Sequence, residues 1–108
     1  MGALATWSHE HLKGLVPEHA EFADDGGNRV RIMWKTPSEG RPNRYARPIA
    51  LHFDTGVAAA VLALPPDVKA AVGNQLRALV GRALDAYPPD AEATEAFIIT
   101  VSGDILDK

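Results

Sequence analysis

Apolar and polar residues alternate over residues 29–35, and this pattern predicts a β-strand that is buried on one face. Val30, Ile32 and Trp34 form its apolar side. The opposite side is largely basic and is expected to face water. Its residues are Arg29, Arg31, Met33 and Lys35.

A second alternating stretch covers residues 45–54, where Ile49, Leu51 and Phe53 share one side. Pro48 has no amide donor, so the start of this strand should lie at an edge or at an unpaired position. The intervening loop, residues 36–44, contains prolines and a glycine and is longer than a tight turn requires. We therefore predict an antiparallel hairpin whose buried face combines the apolar sides of both strands.

Two helices are predicted after the hairpin. Three successive alanines favour a short helix at residues 57–62, although an apolar run of this length also fits a buried strand. Pro65, Pro66 and Asp67 are typical of a helix start, and the helix that follows is expected to reach Tyr87. Its apolar side recurs every three or four residues, at Val68, Val72, Leu76, Leu79, Val80, Ala83 and Tyr87.

The two ends of the chain are predicted to add one helix and one strand. Ser8 can cap a helix that runs to Leu15 or Val16, before Pro17. Residues 96–101 are rich in β-branched side chains and predict a third strand in the same sheet. The predicted fold class is α+β with two layers: a small antiparallel sheet of about three strands and helices on one face, in the order α-β-β-α-α-β. We expect a single domain over residues 1–108, with residues 1–7 free to be mobile.

Length and composition fit this interpretation. The chain has 108 residues, 46% of them hydrophobic, and no cysteine, which excludes disulfides, thiolate catalysis and cysteine-based metal sites. The longest apolar run, residues 57–64, is far shorter than the ~20 residues that span a membrane. The N-terminal residues lack the apolar core of a signal peptide. These features predict a cytoplasmic protein with no membrane partner.

A family resemblance rests on the order of segments from the second predicted strand onward. The strand Ile49–Phe53 is followed by Asp54-Thr55-Gly56, an alanine-rich segment, the long helix, and a closing strand with Ile105-Leu106-Asp107. Over residues 29–107 the chain resembles a family of small uncharacterised proteobacterial proteins, a domain of unknown function. The resemblance implies a cytoplasmic bacterial domain and no particular activity.

Charge is distributed unevenly, although the formal net charge is only −3. Residues 29–47 carry a charge of +5, and the segments before and after them each carry −4. The candidate binding residues of this basic band are Arg29, Arg31, Lys35, Arg41, Arg44, Tyr45 and Arg47. Guanidinium groups bind phosphates and tyrosine stacks on bases, so the band could bind nucleic acid. Arginine and tyrosine also anchor protein interfaces. A third interpretation is that the arginines only pair with the acidic segments.

Two further patterns suggest chemistry. Asp54-Thr55-Gly56 resembles the catalytic motif of retroviral-type aspartic proteases, and Leu79-Val80-Gly81-Arg82 resembles a later element of those enzymes. The segment between the two motifs is too short for the strands and flap of that fold. His9, His11 and His19 could ligate zinc from an extended segment, but on a helix His9 and His11 point about 200° apart.

We therefore predict a binding or regulatory domain, non-enzymatic rather than enzymatic, that acts through protein contacts. The overall negative charge favours a protein partner over the alternative, nucleic-acid binding through residues 29–47. The aspartic protease is a remote third hypothesis. No catalytic residue, metal or cofactor is predicted, and the sequence leaves monomer and homodimer both open.

Overall fold

The computed structural model describes residues 2–35, 40, 47–87 and 96–106. These residues form three helices, four strands and two short 3-10 turns. The helices are α1 (Ala3–Leu12), α2 (Val57–Leu62) and α3 (Pro66–Ala83). The strands are β1 (Glu21–Asp24), β2 (Arg29–Met33), β3 (Ile49–Phe53) and β4 (Phe97–Val101). The 3-10 turns cover Leu84–Ala86 and Gly103–Leu106.

The strands form one sheet in the order β1-β2-β3-β4. The β1–β2 and β2–β3 pairs are antiparallel, which confirms the predicted hairpin, whereas β3 and β4 are parallel. A parallel pair needs a crossover connection, and α2 and α3 lie between these two strands in the chain. The α+β class is therefore confirmed. The sheet is mixed, however, and it has four strands where about three were expected, since the sequence did not predict β1.

The helices pack on one face of the sheet and the core lies between the two layers. Alternate strand residues supply the sheet side of this core, and they include Phe22, Val30, Ile32, Ile49, Leu51, Phe53, Ile99 and Val101. The helices contribute Leu4, Trp7, Leu12, Val61, Val72, Leu76 and Val80. Ile105, in the last 3-10 turn, is also buried and packs against the core. None of the described helices is both long and apolar enough to cross a lipid bilayer.

Helix α1 begins at Ala3, not at Ser8, so the predicted start of this helix was wrong. Its N-cap residue is Gly2, which has no capping side chain, and the Oδ1 atom of Asp24 accepts the Ala5 N–H at 3.0 Å instead. Any side chain at Gly2 would overlap this carboxylate. Ser8 lies inside the helix and is fully buried. Strand β1 therefore supplies the helix cap that the sequence near α1 lacks.

The C-terminal end of α1 is also stabilised by a residue that is distant in the sequence. The helix stops at Leu12, earlier than the predicted Leu15 or Val16, and Gly14 takes a positive φ of 89° just beyond it. The guanidinium of Arg77, on α3, donates to the carbonyl oxygens of His11, at 3.1 Å, and of Lys13. These carbonyls have no partner within α1, and a cation is favourable at a helix C-terminus.

Helix α3 follows the predicted apolar stripe with one exception at its start. Val72, Leu76 and Val80 are buried, and Leu79, Ala83 and Tyr87 are partly buried. Val68, in the first turn of α3, was expected in the stripe but is 43% exposed, so its inclusion was wrong. The helix ends at Ala83, and a 3-10 turn continues to Ala86, next to the predicted end at Tyr87.

Candidate binding surface

One face of the sheet has no helix on it among the described residues, and we call it the open face. Its residues are those that alternate with the core residues: Glu21, Ala23, Arg29, Arg31, Met33, Ala50, His52, Ile98 and Thr100. The predicted orientation of β2 is thus confirmed, with Arg29 and Arg31 exposed and Val30 and Ile32 fully buried.

The strand register arranges the open face in rows across the sheet. Arg31 lies between Ala23 on β1 and Ala50 on β3, and Ala50 in turn pairs with Ile98 on β4. In the neighbouring row, Arg29 pairs with His52, which pairs with Thr100. Residues directly opposite each other in a sheet have Cβ atoms roughly 5 Å apart. The residues directly opposite Arg31 on both neighbouring strands are therefore small, and His52 and Arg29 lie in the next row.

The structure brings together only part of the predicted basic band. Arg29 and Arg31 are adjacent on β2, and Lys35 is exposed two residues beyond that strand. The carbonyl oxygen of Lys35 lies 3.0 Å from the His19 Nε2 atom. Arg47 is partly buried, and its carbonyl accepts the Tyr87 hydroxyl. Arg41, Arg44 and Tyr45 lie outside the described residues.

A cluster of aromatic rings lies at one end of the sheet, on the helix side. Tyr87 contacts Trp34 and Phe97, with ring centroids 6.1 and 5.4 Å apart. Burial raises the pKa of the Tyr87 hydroxyl, and the nearby positive charge of Arg47 opposes part of that rise. The cluster closes the end of the core and fixes the residues that lead into β3, because Tyr87 donates to the Arg47 carbonyl.

The histidines that could have formed a metal site are separated by their packing. The His9 ring lies edge-on to Phe22, with centroids 5.1 Å apart. The His11 ring contacts Trp7 on one side, at 5.5 Å between centroids, and faces the bare backbone of Gly73. No group of three potential metal-ligating side chains occurs in the part of the chain that the structure describes.

Two concavities lie beside α1, away from the open face. A cavity of about 400 Å³ at the C-terminal end of α1 is lined by residues that include His9, Leu12, Lys13, Glu18 and Phe22. A more open groove of about 540 Å³ separates α1 from the start of α3. The first has a volume that suits a small ligand. Its polar residues point to no reaction, because they supply neither a nucleophile with a base nor a phosphate loop.

The protease motif takes a different structure from the one its chemistry requires. Asp54 follows β3, and Gly56, with φ of 85°, is the N-cap of α2. Residues 57–83 contain only the helices α2 and α3, and Gly81 and Arg82 lie within α3. An aspartic protease would need strands and a flap hairpin there, so the remote hypothesis does not fit this fold.

Sequence reasoning missed the contribution of β4 to the open face. Ile98 is 56% exposed, and the only other exposed large apolar residue in the described part of the chain is Val68, on α3. The alternation within β4 would have placed Ile98 and Thr100 opposite the core residues Ile99 and Val101. Their position beside Ala50 and His52 depends on the strand order, which the sequence does not specify.

Comparisons with known proteins add no relative. No family model matches the chain, and no curated protein or solved structure is similar to it. The resemblance to an uncharacterised proteobacterial family therefore stays a prediction.

Proposed function

We propose that the protein is a non-enzymatic binding domain that holds an acidic segment of a protein partner against its open face. One observation carries the proposal: the open face of the sheet places Arg29 and Arg31 together, beside Ala50, His52 and Ile98. Arginine is enriched in protein interfaces, and its planar guanidinium forms two parallel hydrogen bonds with a carboxylate.

The small residues around Arg31 support a contact with an extended chain. Ala23 and Ala50 flank it on the neighbouring strands, so the residues directly opposite Arg31 are small. Ile98 lies beyond Ala50 in the same row and offers apolar contact area. A partner segment that combines a carboxylate with small apolar side chains complements this row in charge and in shape.

The open face is less suited to nucleic acid. Single-stranded nucleic acids stack on aromatic side chains, and histidine is the only aromatic-type ring on the open face as the structure describes it. Tight binding to a nucleic acid requires several phosphate contacts, whereas one guanidinium suffices to pair with a single carboxylate. Arg29 and Arg31 on β2 therefore suit a short acidic segment better than a polyanion.

The proposal is tested by NMR titration of the isotope-labelled protein with a pool of short peptides that alternate glutamate with small apolar residues. We expect amide shifts on β2 and β3. Arg31→Gln should weaken the binding about tenfold, the effect of losing one charge-assisted hydrogen bond of roughly 1.4 kcal/mol. Arg82→Gln is the matched control, since Arg82 is exposed in the last turn of α3, away from the sheet.

The outcomes separate the hypotheses. Shifts that Arg31→Gln abolishes and Arg82→Gln preserves would support the proposal. No shift with the peptides, or equal loss in both variants, would refute it. Shifts induced instead by short DNA or RNA oligomers, and lost steeply as salt rises, would replace it with nucleic-acid binding through residues 29–47.

A further inference from the structure

The two edges of the sheet are protected to different degrees. Edge strand β1 has four residues and carries Glu21 and Asp24 at its ends. Edge strand β4 has five residues, Phe97–Val101, and contains no charge, proline or glycine. Natural proteins normally protect an edge with short length, charges, prolines or bulges, because an unprotected edge pairs with another strand. By these criteria β1 is protected and β4 is not.

The hydrogen bonds of β4 show which of its backbone groups are available. The Phe97 N–H donates to the Pro48 carbonyl at 2.7 Å, and the Asp54 N–H donates to the Val101 carbonyl at 2.9 Å. In a parallel ladder that begins and ends this way, residues 97, 99 and 101 bond to β3. The N–H and C=O groups of Ile98 and Thr100 therefore point away from the sheet, and no residue in the described part of the chain pairs with them.

We propose that β4 pairs in antiparallel orientation with β4 of a second copy of this chain, around a two-fold axis at Ile99. In this register Ile98 of each copy lies opposite Thr100 of the other, and both residues use their outward N–H and C=O groups. Two such pairs give four backbone hydrogen bonds across the interface. The two copies of Ile99 then lie opposite each other at the centre as a non-hydrogen-bonded pair, because their backbone N–H and C=O groups already bond to β3.

A second copy fits this edge because the strand is complementary to itself. With no charge on β4, two copies do not repel each other, and the Ile99 axis is the one that pairs all five strand residues. It also places Ile98, 56% exposed in the single chain, against a neighbour on the open face. The assembly closes at two chains, because the edges left over are the charged β1 strands.

The first test is the molar mass in solution, measured by sedimentation or by light scattering, from about 1 µM to about 1 mM. We expect the mass to rise towards that of two chains. Ile98→Lys should raise the dissociation constant more than tenfold, because it places a charge at each end of the new pair. Val68→Lys is the matched control, since Val68 is an exposed valine on α3, and it should associate like the natural protein.

The second test fixes the register. Because the natural chain has no cysteine, a single introduced cysteine reports only the contact at its own position. Under mild oxidation Ile99→Cys should form a disulfide between copies, since non-hydrogen-bonded partners have Cα atoms about 4.5 Å apart. Ile98→Cys is more exposed, but it should crosslink far less. It lies opposite Thr100 of the second copy, so the two introduced cysteines are offset by two residues along the strands. Far-UV circular dichroism confirms that both variants are folded.

The results that overturn this inference are specific. A single-chain mass up to about 1 mM excludes the dimer. Equal association of Ile98→Lys and Val68→Lys excludes the β4 edge, and a growing ladder of larger species excludes a closed pair. Crosslinking that is stronger at Ile98 than at Ile99 excludes the register. None of these results bears on peptide binding by Arg31, so failure here is distinguishable from failure of the proposed function.

Discussion

The contact between α1 and α3 provides a sharp test of the packing. Gly73 is buried on α3, and a Cβ atom built there would lie 2.5 Å from His11 Cδ2 and still closer to Cε1 and Nε2. The Trp7 ring lies beside the His11 ring, 5.5 Å away between centroids, and limits its movement in that direction. Trp7 is itself held by a hydrogen bond from its indole N–H to the Lys69 carbonyl, at 3.4 Å. Gly73→Ala should therefore strain this contact.

Two opposing terms set the size of the effect. Replacing glycine by alanine inside a helix gains about 0.8 to 1.0 kcal/mol. Forcing an extra methyl into a packed contact costs about 1 to 3 kcal/mol. We expect Gly73→Ala to lower the free energy of unfolding by about 1 kcal/mol in total, which lowers the melting temperature by about 4 to 8 °C for a domain of this size. Gly81→Ala, in the same helix, should instead gain about 1 kcal/mol, because in the described part of the chain no atom beyond the adjoining residues and helix backbone lies within 4 Å of its Cβ position.

The assay is urea denaturation followed by far-UV circular dichroism, since its midpoint and slope give the free energy of unfolding. Truncating the ring completes a double-mutant cycle: in a His11→Ala background, Gly73→Ala should become stabilising, like Gly81→Ala. The coupling between the two sites should be about 1 to 3 kcal/mol. The reasoning is refuted if Gly73→Ala has the same effect in both backgrounds, or if Gly73→Ala and Gly81→Ala are equally stabilising.

Three other substitutions test separate parts of the fold. Asp24→Ala should cost about 1 kcal/mol, because the Ala5 N–H loses its acceptor, whereas Asp24→Asn should retain most of the stability; equal losses would contradict this cap. Because burial raises the pKa of Tyr87 above its ordinary value of 10.0, the unfolded chain loses this proton first, and the phenol's contribution to stability is complete below pH 10 and declines as pH rises through the folded pKa. Tyr87→Phe should lack that decline and should cost about 1 kcal/mol at neutral pH through its lost hydrogen bond to Arg47; an absorbance titration that finds no tyrosine above the ordinary value would refute the pKa shift. Ser8→Ala should be neutral or stabilising by up to about 1 kcal/mol, since the buried hydroxyl has no hydrogen-bond partner in the described structure; a loss in thermal denaturation would reveal one.

The sequence predicted those elements whose own residues carry a full pattern of apolar and polar positions. Strands β2 and β3 alternate strictly, and α3 repeats its apolar side over several turns. Strand β1 was not predicted, because Phe22 is its only large apolar residue and four residues show no clear alternation. The segment is a strand because it pairs with β2, where Phe22 lies opposite Ile32. The start of α1 was missed for a similar reason, since its cap is Asp24, 19 residues away from Ala5 in the chain.

The candidate site likewise contains residues that local alternation predicts and neighbours that depend on the strand order. Alternation alone placed Arg29 and Arg31 on the solvent side of β2, and the structure confirms this placement. The neighbours of these arginines could not be predicted, because they depend on which strands lie side by side. The parallel pairing of β3 with β4 is what brings Ile98 next to Ala50, and it follows from the path of two helices across the sheet.

Dimerisation through the β4 edge would give the open face a property that a single chain lacks, which is two arginine rows at a fixed separation. A two-fold axis that pairs two β4 strands edge to edge runs perpendicular to the sheet, so both open faces point to the same side. Five strand spacings of about 4.8 Å then separate Arg31 on one copy from Arg31 on the other, a distance of roughly 24 Å. A partner with two acidic segments at that spacing would bind both arginine rows, and its second contact would be intramolecular. Ile98→Lys should therefore remove the gain in affinity that such a two-segment partner has over a single short peptide, whereas Arg31→Gln should weaken the binding of both.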